Sequence, residues 1–207
     1  MWTEAQRHAE LAAQTVPDAD ARRLLYQARV NVELCDHAAA QLVEAFDVLD
    51  FHNFAAAFGS CHMDEGVFGQ AIHRAEMTAA KERVLGFLVA HVTAGHRVAQ
   101  ALKNSRGKDR GTDWKELRAD IDRFERAYHD VRNFLEHLID SIARGEVEQG
   151  VDCSFSTARI LTCKQPSEML TFDFTSEALT RPRQLYQRVI TLLEERKAFK
   201  SAAEPGT

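Results

Sequence analysis

A chain of 207 residues, 45% hydrophobic and 28% charged, has the size and balance of a globular domain with a sizeable core. Its formal net charge of −5 excludes the global basic field that drives non-specific nucleic-acid binding, so any such contact has to be local. No apolar run reaches the roughly 18 residues a membrane span needs, which excludes a spanning helix and a membrane partner of that kind.

The opening MWTEAQRHAELAAQ carries acids and no apolar core, so it does not read as a secretory signal. It fits a short first helix. Pro17 and Asp18 open a second, in which Leu25, Ala28, Val32, Cys35, Ala39, Leu42, Phe46 and Leu49 alternate three and four apart. That stripe predicts packing against other helices. FAAAFGSCHMDEG then breaks the pattern, with Gly59 placed as a helix stop.

A third helix is predicted from Leu85, Leu88, Val92, Gly95, Ala99 and Leu102 on one face, where Gly95 and Ala99 leave room for a close neighbour. KNSRGKDRGTD reads as a loop by its Gly, Ser and charge content. Asp113 with Glu116 resembles a capping box, and a fourth helix runs from there to about Arg144, stopped by Gly145.

After Gly150 the character changes. TARILTC and EMLTFDF are rich in β-formers, and Leu170, Phe172 and Phe174 alternate against polar neighbours, with KQPS as the turn between. A last helix follows Thr180 and Pro182, with Leu185, Val189, Leu192 and Leu193 inward; the tail SAAEPGT should fray. The expected fold is therefore mainly α: a helical bundle in a single domain over 1–207. It carries a small antiparallel β-hairpin insert at about 152–175 and a C-terminal helix at about 180–200.

Four cysteines, Cys35, Cys61, Cys153 and Cys163, are scattered without a CxxC pair and read as reduced thiols, which makes the cytoplasm the expected location. Cys61, His62, Asp64 and Glu65 are metal-ligand types, but they bunch together with no second cluster to complete a zinc site. A carboxylate-bridged metal pair needs Glu followed three residues later by His, twice, and no Glu here has that partner. His91 and His96, five apart, do not share a helical face as two ligands must. No metal or other cofactor is expected. Lys103, Arg106, Lys108 and Arg110 read as a solvated linker, and no Gly-rich phosphate loop or nucleophile elbow occurs.

One stretch resists a packing explanation: Arg132-Asn133-Phe134-Leu135-Glu136-His137. In its helix Phe124, Tyr128, Val131, Leu135, Leu138 and Ile142 define the core stripe. At 100° per residue His137 points about 145° from the centre of that stripe, with Asn133 and Asp140 near it. Arg132 lies on the flank, one turn before Glu136, where an i,i+4 ion pair is the plain explanation. About 140° separates Arg132 from His137, so one straight helix does not bring them together.

This stretch resembles the Arg-Asn-x-x-x-His signature of HEPN domains, helical bundles found in toxin–antitoxin, abortive-infection and CRISPR-linked systems. The resemblance covers six residues and a long-helix context. The looser match from Arg123 to His129 has Phe124 where the signature has Asn. The hairpin after the motif helix departs from a plain bundle and leaves the subfamily open. Many members are metal-independent endoribonucleases; others only bind nucleotides or partners. The resemblance implies a homodimer in which two motifs face each other, with RNA as substrate and, in a toxin or phage-defence setting, an antitoxin as protein partner. It implies catalytic roles for Arg132 on the scissile phosphate, Asn133 in orientation, and His137 as general acid or base.

Overall fold

The computed structural model describes residues 4–16, 18–57, 66–105, 112–143, 152–156, 159–164 and 169–203. The protein is mainly α, of the helical-bundle class, with a small antiparallel sheet toward the C-terminal end of the chain. The elements are α1 (Glu4–Thr15), α2 (Ala19–Ala57), α3 (Gly66–Ser105), α4 (Thr112–Ala143), β1 (Asp152–Phe155), β2 (Ile160–Lys164), β3 (Met169–Asp173), α5 (Ser176–Leu179) and α6 (Arg181–Ala203). They divide into two compact units. The first takes residues 1–35, 92–132 and 180–207; the second takes 36–91 and 133–179. The helices α2, α3 and α4 each contribute to both.

Local chemistry accounts for the helix limits. The Asp18 carboxylate accepts from the backbone N–H groups of Asp20 (2.9 Å) and Ala21 (3.4 Å), so it caps α2 as the sequence suggested. Helix α2 continues through Ala57, so Phe54–Ala57 is helical although the apolar spacing is lost there. Helix α3 likewise runs through Ser105, which makes Lys103 helical rather than part of a linker. Helix α4 starts at Thr112, placing Asp113 inside the first turn. Gly59, the Cys61–Glu65 cluster, Arg106, Lys108, Arg110 and Gly145 lie outside the described residues.

In the first unit the expected stripe of α2 is buried at Leu25, Ala28, Val32 and Cys35, and Cys35 forms no disulfide. The α3 stripe is buried at Val92, Ala99 and Leu102, and that of α6 at Leu185, Val189, Leu192 and Leu193. Helix α1 docks on α6 through His8, whose Nδ1 lies 3.1 Å from the Tyr186 hydroxyl. Burial there pushes the Tyr186 phenol up to about 12. Burial also lowers the His8 imidazole from its ordinary value, against the opposing pull of Glu4. A depressed histidine means the unfolded chain takes up the proton more readily. This contact therefore contributes fully above the ordinary histidine range and is lost as pH falls through the lowered value. His8→Gln should show a smaller drop in melting temperature than wild type when both are scanned from pH about 7.5 to about 5.5. Equal drops would remove His8 as the titrating group.

In the second unit Leu42, Phe46 and Leu49 of α2 are buried, with Val84 and Leu88 of α3; Leu85 is half-buried. The sheet has the order β1-β2-β3, all antiparallel. Strands β2 and β3 are the expected hairpin, and the expected alternation buries Phe172 and, just past the strand end, Phe174, which meets Phe46 edge-on at 5.2 Å. Strand β1 is an addition: Asp-Cys-Ser-Phe is too short and too polar to show a period of two. The β1–β2 register sets Cys153 opposite Cys163, an adjacency their sequence spacing does not signal. Arg159 turns the chain into β2 at φ 57°, a left-handed value that costs a non-glycine residue about 1–3 kcal/mol. Its guanidinium is anchored on Asp47 at 3.0 Å and lies over the Phe46 ring, which ties the sheet to α2.

Candidate functional site

The site is built where α3 and α4 meet at Gly95 and Tyr128 in the first unit. Gly95 sets that approach: a Cβ at this position would stand 2.6 Å from Cδ1 of the Tyr128 ring. Only a residue without a side chain lets the ring stand this close to the α3 backbone. Tyr128 is buried and stacks on Phe124 with ring centroids 4.1 Å apart, so its ring has little room to swing away.

The close approach brings the next residue of α3, His96, onto α4. His96 is 3% exposed, and its Nδ1 lies 3.4 Å from Nη1 of Arg132. An arginine only donates, so His96 Nδ1 is the acceptor and this imidazole carries its proton on Nε2. The exposed His129 tilts against His96, with centroids 5.3 Å apart. Arg132, His129 and His96 thus form one cluster, with Arg132 half-buried. Farther along the same face pair, Lys103 bonds Glu125 at 2.6 Å and Asp122 at 3.3 Å. The Glu125 bond, then that of Asp122, raises the lysine above its ordinary range. This member of the basic stretch is thus engaged by carboxylates.

The predicted core stripe of α4 is buried at Phe124, Tyr128, Val131 and Leu135, and Phe134 joins it; the side chains of Leu138, Asp140 and Ile142 lie outside the described residues. In the second unit Asn133 is half-buried and His137 is exposed, as the outward direction of His137 required. Sequence spacing marks His96 only as a candidate metal ligand beside His91 and does not reveal its place against Arg132. The usable signal is its place one turn after Val92 and one turn before Ala99, beside the face expected to meet another helix. Both His91 and His96 are buried, and no group of three metal-ligating side chains occurs among the described residues.

In the first unit α2 and α3 also border a groove of about 410 Å³ lined by Gln27, Asn31, Arg97, Gln100 and Asn104, with no carboxylate on its wall. Carboxamides offer donors and acceptors together, and arginine adds a fixed positive charge. No helix among the described residues is long and apolar enough to cross a membrane. No family model, curated protein or solved structure matches this chain.

Proposed function

We propose that this protein is a HEPN-like, metal-independent endoribonuclease that works as a homodimer, in the setting of a toxin or phage-defence effector. The observation that carries the reading is the division of labour along α4: Arg132 is half-buried and held by His96, while His137 is exposed. A fixed cation suits a phosphate, and an exposed imidazole can meet a substrate or a second copy of the chain.

The chemistry follows from the residue types. The RNA 2′-hydroxyl attacks the adjacent phosphorus as the bond to the 5′-oxygen breaks, leaving a 2′,3′-cyclic phosphate. The nucleophile belongs to the substrate, so the reaction needs neither a metal nor a protein nucleophile. An imidazole nitrogen can both accept and donate a proton, so His137 can take the hydroxyl proton or return one to the leaving oxygen. Arg132 holds the phosphate and offsets charge that grows in the transition state. Asn133 orients His137 or bonds the phosphate. The dimer brings Arg132 of one protomer toward His137 of its partner, which meets the separation of about 140° on one helix. With a net charge of −5, RNA is held by local contacts, for which the carboxamide groove beside Arg97 is suited.

Single-stranded RNA incubated with the protein in excess EDTA should be cut to fragments with 2′,3′-cyclic phosphate ends. Light scattering should give about twice the 23.3 kDa of one chain. A requirement for added Mg²⁺ or Zn²⁺ would contradict the mechanism, and a clean monomer would remove the composite site. A second reading, a HEPN-like protein that binds a nucleotide or a protein partner such as an antitoxin without catalysis, draws support from Glu136. This exposed carboxylate neighbours His137 and would repel a phosphodiester. RNA left intact across a broad panel of sequences would favour it.

A further inference from the structure

We infer that His96 is a positioning residue for Arg132, holding its guanidinium where it can grip an RNA phosphate. This rests on the reading of Arg132 as the phosphate-holding residue and adds a group that the motif itself does not contain.

The argument starts from what an arginine needs in order to recognise a phosphate. Its planar fork binds two oxygens at once only if its plane is set, and a side chain with four torsions is seldom set without a contact of its own. His96 supplies one such contact from another helix. Its imidazole is 3% exposed, and its Nδ1 lies 3.4 Å from Nη1, at the long end for such a bond. A histidine fits this place better than a carboxylate would. A neutral imidazole accepts from the guanidinium without placing a negative charge of its own beside a phosphate. The orientation is fixed in turn from two sides: Gly95 brings α3 against Tyr128, and His129 tilts against the His96 ring.

The test uses the intact protein and a 2′-O-methyl oligoribonucleotide, which offers phosphates but no attacking hydroxyl. His96→Ala should bind this probe about tenfold more weakly than wild type, the scale of one hydrogen bond to a charged group. His96→Asn should restore most of the loss, because the asparagine carbonyl oxygen can take the place of Nδ1 as acceptor. Long-range nitrogen–proton correlation spectra of wild type should show His96 protonated on Nε2, with an Nδ1 resonance that shifts in Arg132→Ala. A merely structural histidine would give neither the rescue nor that shift. Equal binding by wild type and His96→Ala, a failure of His96→Asn to rescue, or a proton on Nδ1 would each overturn the inference. If His96→Ala does not fold, the asparagine variant and the wild-type spectrum still decide it. Wild type that binds the probe yet leaves cleavable RNA intact would end the nuclease reading and leave His96 in its role. Wild type that ignores the probe would overturn both.

Discussion

His137→Ala should slow RNA cleavage by about 10²–10⁴-fold, the usual cost of losing a positioned general acid or base. Its fold should be untouched, because His137 is exposed and the neighbouring Phe134 and Leu135 carry the burial on that stretch of α4. Unchanged far-UV circular dichroism and an unchanged melting temperature would separate lost chemistry from lost structure. His129→Ala should cost much less. The upstream match has Phe124 in place of the asparagine, and His129 borders Arg132 through His96. His37, exposed on α2, is a suitable unaffected control. Residual activity at the wild-type level in His137→Ala would take the histidine out of the mechanism, whatever the variant at His129 shows.

The second large effect is on stability and has opposite signs at two glycines of one helix. Replacing glycine by alanine in a helix interior ordinarily stabilises by about 0.5–1 kcal/mol, because the unfolded chain loses freedom. Gly86 meets this condition: it is exposed, and beyond its own helix turn a Cβ there would meet no atom of the described residues within 4 Å. Gly86→Ala should therefore raise the melting temperature. At Gly95 the same methyl meets the ring of Tyr128, which is buried and stacked on Phe124. Overpacking of this kind costs about 1–3 kcal/mol, which exceeds the propensity gain. Gly95→Ala should be less stable than wild type and should also loosen the His96–Arg132 contact, which depends on the same helix approach. Chemical denaturation of the two variants side by side gives the comparison. A Gly95→Ala protein as stable as Gly86→Ala would mean that the α3–α4 approach is not set by this glycine.

The features read correctly from the chain share a physical property: they are local. Three- and four-residue spacing from Leu25 to Leu49 placed α2 and its inward face, and the spacing from Phe124 to Leu135 did the same for α4. The period of two at Leu170, Phe172 and Phe174 marked β3, and Asp18 marked a helix start that its carboxylate does cap. The outward direction of His137 followed from one angle per residue. One reading failed where a local signal faded before the structure did, at Lys103–Ser105, where helix outlasts its apolar pattern. Once a helix is nucleated, each further residue adds a hydrogen bond, so it can run on past its stripe.

By itself, then, the sequence determined the helical class, the faces that pack, the hairpin and the exposure of His137. Each depends on a repeat that the backbone imposes over a few residues. Only the tertiary structure decided that Arg132 meets His96, 36 residues away, that His129 tilts against the same ring, and that β1 sets Cys153 opposite Cys163. Such pairings depend on the register and separation between elements. Those are set by how side chains interlock across an interface, here by the missing side chain of Gly95 against the ring of Tyr128.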